Sequence, residues 1–332
     1  MQTLFAAIFV FLLVVTLHEF GHFYIAKKSG VQVNEFSIGM GPKIIQRKWG
    51  ETMYSLRLFP IGGYAAMEGE DSESENPRAF EKATLLKRIA IVAAGPIMNY
   101  LLTIVLFFSV FTYLKFPTTI IESFTNNSTF QEAGALKDDK IIKIDNVNIG
   151  SYEDFKNEMS KKQEKVNVTV LRDKEEKNFN VKIKLDEYGN KILGFYPKRK
   201  VNILNSFIVS IKTTVDISYK MFDFLVQLVK GKVGAGSISG PIGVISEIGK
   251  AANRGFMDLI ILTAIISLNL GFFNLLPIPA LDGGRLLFLF IELIIGKKVP
   301  KEKEAIVHII GFILLVSLII LVSYKDISKL IR

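Results

Sequence analysis

The sequence predicts a polytopic α-helical membrane protein that carries one water-soluble α+β domain. Three observations predict it. Hydrophobic residues make up 49% of 332, including 26 phenylalanines, and mean hydropathy is +0.33. Four long apolar runs, near residues 3–26, 89–114, 256–276 and 305–324, are each flanked by charged or glycine-rich stretches. Between the second and third, residues 115–200 turn rich in lysine and acids and show strand-like alternation. The net charge of +9 does not signal a nucleic-acid partner, because much of the Lys and Arg flanks apolar spans, where topology and lipid headgroups account for it. The chain has no cysteine, which excludes disulfides and thiolate metal sites, so any zinc would have to use His and carboxylate.

Residues 3–26 read as a retained transmembrane helix rather than a cleaved signal. Met1-Gln2-Thr3 carries no side-chain charge, and Lys27-Lys28 follow the run. Positive charge on that side makes it cytoplasmic and places the N-terminus outside. Within residues 31–67, alternation over 52–59, closed by Pro60-Ile61-Gly62-Gly63-Tyr64, predicts a β-hairpin. Lipid does not tolerate open strand edges, so a hairpin at membrane depth must be re-entrant into a protein-lined cavity; a ribbon on the cytoplasmic surface is the competing reading. Residues 68–78 read as a solvated acidic loop. The second span holds Ala93-Ala94-Gly95-Pro96-Ile97-Met98-Asn99, where small residues allow close helix packing. Asn99 is either an interhelical hydrogen bond or a substrate contact.

Residues 115–200 form the soluble domain, carried outside by the second span. Strands are expected over 140–144, 166–171 and 179–185, and a helix over 151–160 with Ser151 as N-cap. Residues 201–230 are amphipathic and suit the membrane interface. Residues 231–243 read as a flexible connection. The third span begins outside. Arg285, Lys297, Lys298, Lys301 and Lys303 mark a cytoplasmic loop before the last span, so the C-terminus lies outside. His308 reads as an interfacial or packing residue, Glu292 shows no evident partner, and Trp49 suits a membrane interface. The expected divisions are 1–114, 115–200, 201–255 and 256–332.

Two polar clusters interrupt the apolar runs. His18-Glu19-Phe20-Gly21-His22 puts two imidazoles one helical turn apart on one face, with a carboxylate beside them that can take a proton from a metal-bound water. An ionised side chain at a membrane helix centre costs about 3 kcal/mol on insertion scales, so such groups mark sites. A chance pentapeptide or a core histidine pair is the competing reading. The second cluster is NLLPIPALDGG, residues 274–284. Its prolines remove donors and force extended backbone, tolerated at membrane depth only around a buried site. Asp282 then completes a set of two histidines and one carboxylate, leaving one tetrahedral position for water. Alternatively, Asp282 is the N-cap of a helix over 285–295.

HEFGH in the first span, GPIMN in the second, SGPIG, and NLLPIPALDGG together resemble the site-2 protease family of intramembrane metalloproteases, in its regulator-of-sigma-E protease branch. Residues 133–146 resemble the AGL-x-x-GD-x-I-x-x-I-N-G stretch of PDZ domains, with Asp138 in place of the usual glycine. The resemblance implies four transmembrane helices, a membrane re-entrant β-hairpin and one extracytoplasmic PDZ-like domain, in the inner (cytoplasmic) membrane. It implies Zn2+ held by His18, His22 and Asp282, with Glu19 as catalytic acid/base. Asn274 matches the family asparagine that holds substrate, while Asn269 and Asn99 are equally eligible amides by their own chemistry. The implied partners are the lipid bilayer and single-span membrane proteins, either signalling proteins of the anti-sigma-factor kind or signal-peptide remnants. The PDZ-like domain either contacts peptides or screens substrates by size. Two alternatives compete. A catalytically silent PDZ-bearing scaffold is disfavoured by the intact His18, Glu19, His22 and Asp282. A transporter with a helix broken at Pro277 and Pro279 calls for inverted repeats, and the sequence shows none.

Overall fold

A computed structural model describes residues 2–70, 73–186, 189–232 and 240–331. The first apolar run is helix α1 (Gln2–Lys28). Its buried residues Ala7, Val10, Val14, His18, Gly21, His22 and Ala26 recur every three or four positions, so one stripe faces the protein.

Strands β1 (Val33–Trp49) and β2 (Thr52–Met67) follow. They form a hairpin folded back on itself. Residues 43–49 pair with 52–57 around the turn at Gly50 and Glu51. Residues 33–38 pair with 63–67 on one side, and on the other 35–38 lie beside 53–56. Gly39, Gly41 and Gly62 make the corners with φ of 84°, 86° and 86°, and a Cβ on Gly39 would lie 2.6 Å from the Phe59 carbonyl oxygen. The strand expected to close at Pro60 therefore runs on to Met67. Local alternation stops at the bend, but the segment beyond it finds its partner in residues 33–38.

Helix α2 (Leu85–Leu114) carries Pro96 in its interior. Residues 111–206 form a compact unit of their own. Its elements are β3 (Phe116–Phe124), α3 (Thr129–Glu132), β4 (Lys140–Ile144), β5 (Val147–Asn148), α4 (Tyr152–Lys161), β6 (Lys165–Arg172), β7 (Glu175–Lys182), β8 (Lys184–Leu185), β9 (Lys191–Ile192) and β10 (Phe195–Lys200). The main sheet runs β10-β3-β4-β6-β7, with β5 on β4 and β8 paired to β9. Alternate residues Val166, Val168 and Val170 point inward onto Phe130, Ile141, Ile144 and Met159. Ser151 caps α4 in a reciprocal pair with Asp154, as expected. Asp138 adopts φ 67°, the left-handed conformation that glycine serves in the PDZ pattern.

The second unit comprises residues 1–110 and 207–332. The amphipathic run is α5 (Ile203–Val229). The connection expected over 231–243 lies partly outside the described residues, and its last part is not a connection. Helix α6 (Pro241–Arg254) starts there, with Pro241 in the first turn and Asp326 accepting from the Gly240 and Gly243 amides at 2.8 and 2.9 Å. This explains the glycines of the SGPIG motif: the amides of Gly240 and Gly243 bind a carboxylate 86 and 83 residues away, a partner that no local pattern reveals. Helices α7 (Phe256–Leu275), α8 (Asp282–Ile295) and α9 (Lys301–Ile331) complete the unit. Among the described residues, four helices are long and apolar enough to cross a membrane: α1, α2, α7, and residues 302–326 of α9, with mean hydropathies of 2.2, 2.1, 2.0 and 3.1. Glu292 of α8, without evident partner in the sequence, is bound by Arg88 of α2 at 2.5 Å.

Candidate metal centre

The helical spacing of His18 and His22 does what periodicity predicts: both are buried on the inner stripe of α1. Their Nε2 atoms are 3.2 Å apart. Asp282 brings Oδ2 to 3.1 Å from His18 Nε2 and 3.3 Å from His22 Nε2. Asp282 is the first residue of α8, and Leu281 holds the N-cap position, so Asp282 is not a helix cap. Its direction is set by the loop before it. Gly284 packs on that loop, where a Cβ would lie 2.6 Å from the Ile278 carbonyl oxygen.

The three atoms suit one zinc ion. Bonds of about 2.0–2.2 Å in tetrahedral geometry hold ligand atoms roughly 3.3–3.5 Å apart. Asp282 Oδ2 is buried and accepts no well-formed hydrogen bond, and such an orphaned acceptor calls for a cation. His22 Nδ1 donates to the Ile91 carbonyl at 2.9 Å. A carbonyl can only accept, so Nδ1 carries the proton and Nε2 keeps its lone pair for a metal.

Close helix packing makes room for these groups. A Cβ on Gly95 would collide with the His22 ring, and one on Gly21 with the Ala94 carbonyl. The small residues of the Ala-Ala-Gly stretch thus let α2 press against the imidazoles.

A cavity of about 430 Å3 opens on the site, lined by His18, Glu19, His22, residues 64–67, Glu70, Val92, Asp282 and Arg285. Glu19 borders it against β2, where a Cβ on Gly63 would lie 3.5 Å from Glu19 Cγ. Among the polar residues of this lining, sequence reasoning missed Glu70, Arg285 and Tyr64. Glu70, in the stretch expected to be a solvated loop, pairs with Arg285, because the loop returns to the protein where Glu68 accepts from Asn34 at 2.6 Å. Tyr64 donates no signal in sequence; its hydroxyl bonds Arg57, which reaches Glu35 at 2.9 Å.

The asparagines separate. Asn99 is fully buried, with Nδ2 3.3 Å from His18 Nδ1. Asn274 is buried and donates to the Leu270 carbonyl of its own helix at 3.0 Å. Asn269 is half-buried on α7.

A helix-borne histidine pair, a neighbouring glutamate and a distant aspartate, set among membrane-spanning helices, define a membrane-embedded metallopeptidase. The sequence profile of peptidase family M50 matches residues 6–318, and the chain belongs to that family, the site-2 proteases. A Clostridium acetobutylicum relative is 38% identical over 328 residues, covering 97% of this chain and 96% of its own. Zinc metalloprotease RasP of Bacillus licheniformis is 30% identical, covering 99% and 100%. Regulator of sigma-W protease RasP of Bacillus subtilis is 30% identical, covering 99% of each. Among solved structures, the PDZ domain of an SdrC-like protein from Listeria monocytogenes is similar at 16% identity, covering 24% of this chain and 86% of that one, with a TM-score of 0.22. The chain is a multi-pass membrane zinc metalloprotease.

Proposed function

We propose that His18, His22 and Asp282 hold the zinc and that Glu19 is the acid/base of an endopeptidase that cuts single-span membrane proteins within or beside their transmembrane segments. What carries this reading is the meeting of all four residues on one cavity although Asp282 lies 260 positions beyond His22. When bound, zinc polarises the attacking water and stabilises charge on the carbonyl oxygen. Glu19 takes the proton from that water on its carboxylate and returns it to the leaving amine.

The substrate backbone needs partners once its helix unwinds. Among the described pairings, residues 63–67 bond only to 33–38, so their other edge is open, and residues 64–67 line the metal cavity. Strand addition at this edge would satisfy the unwound backbone beside Glu19. This supports reading the β1–β2 sheet as a membrane re-entrant element.

Lys27 and Lys28 support a cytoplasmic end for α1, which puts both termini and the PDZ-like domain outside the cytoplasmic membrane. Substrates of this topology include anti-sigma-factor-like anchors and signal-peptide remnants. Residues 1–114 and 256–332 would then be two halves of the catalytic core, with 115–200 the PDZ-like insert and 201–255 the link. Asn274 remains the candidate substrate amide.

Cleavage of a membrane-anchored test substrate by wild type and Glu19→Gln decides the catalytic role. The variant should lose about 100-fold or more in rate while keeping its zinc; equal processing would refute the role. Proline at Ala65 and Ala66 in turn removes one outward amide, and one of the two should impair cleavage without zinc loss. Full cleavage by both would refute strand addition.

A further inference from the structure

We propose that His308 of α9 is a positioning residue for the metal-binding carboxylate, acting through the backbone of Ala280. The proposal rests on the zinc reading above.

The backbone of the α7–α8 connection can be accounted for donor by donor. Pro277 and Pro279 have no N–H. Ile278 N–H goes to the Leu276 carbonyl at 2.7 Å, and Leu281 N–H to the Ile278 carbonyl at 3.2 Å. The amide left over is Ala280, and it donates to His308 Nδ1 at 2.8 Å, across 28 positions. Ala280 sits at φ 71°, a left-handed conformation that a non-glycine residue keeps only when its surroundings enforce it. Two residues later comes Asp282, whose Oδ2 meets both imidazoles.

The grip of α9 on the loop has two points on one helix face. Three residues after His308, Gly311 lies flush on Pro279, where a Cβ would collide. The His308 ring also sits 5.8 Å from that of Phe288 in α8. The last span, otherwise largely exposed along its length, thus touches the protein where the carboxylate-bearing loop needs holding. Because Nδ1 accepts from an amide, it carries no proton, and the ring serves as an acceptor at one defined place.

That place separates two polar replacements. The Asn amide oxygen falls near the position of Nδ1, and the Gln oxygen nearer that of Nε2. The full-length protein in detergent, loaded with Zn2+, is titrated with a competing chelator, and thermal unfolding is followed in parallel. His308→Asn should hold zinc as wild type does, while His308→Gln and His308→Leu should give it up about 10-fold more readily. Equal zinc retention by the Asn and Gln variants, or wild-type retention by His308→Leu, would overturn the proposal. A wild-type protein that binds no zinc would instead sink the metal reading itself, and the proposal with it.

Discussion

Asn99 stands 3.3 Å from His18 Nδ1 through its Nδ2, while its own Oδ1 is buried without a hydrogen bond. The two amide atoms are near-equivalent in shape. Rotating the amide by half a turn turns Oδ1 toward His18 Nδ1, which can then donate to it and leave Nε2 free for zinc. Asn99 is further held by Ser267 and Thr103, whose hydroxyls donate to its backbone carbonyl at 2.9 and 2.8 Å. Asn99→Leu should weaken zinc binding by about 10-fold or more, because the His18 proton loses its acceptor. Asn99→Asp, which keeps an acceptor, should weaken it less. Equilibrium dialysis against zinc buffers measures both.

Arg88 and Glu292 join α2 to α8, with side chains 9% and 14% exposed. Removing one partner of such a pair leaves a buried charge and typically costs about 3–5 kcal/mol, whereas replacing both with apolar groups costs far less. Arg88→Met and Glu292→Leu should therefore each destabilise the protein strongly, and the double variant should be more stable than either. Unfolding of all four proteins in detergent completes the cycle.

Glu51, in the β1–β2 turn, is tied by Arg78 at 2.6 Å and Lys27 at 2.5 Å. Those cations, Arg78 foremost, lower its pKa from 4.5 to about 2. A depressed carboxyl stabilises the fold fully above its unfolded value and loses that contribution as pH falls toward the folded one. Wild type should thus melt above Glu51→Gln at neutral pH, and the gap should close between about pH 4.5 and 2. A gap that persists at the acid end would show that the ion pairs are not its source.

Much of the site was legible because its signals are local. A four-residue spacing puts His18 and His22 on one face in any α-helix, and two prolines exclude helix before Asp282 wherever the chain lies. The small residues around Gly95 likewise announce close packing. What escaped notice was set by partners far along the chain: Arg88 for Glu292, Asp326 for the Gly240 amide, residues 33–38 for the strand beyond Pro60, and Arg285 for Glu70. Each of these residues looks unremarkable within its own window.

The amino-acid order by itself determined the four apolar spans, the ligand types available without cysteine, and the helical face that His18 and His22 share, since these follow from composition and period alone. Only the tertiary structure decided that Asp282 meets both imidazoles, that Asn99 stands behind His18, and that α9 grips the loop through His308. Such contacts depend on where separate helices meet, and packing between distant segments leaves no periodic trace in either one.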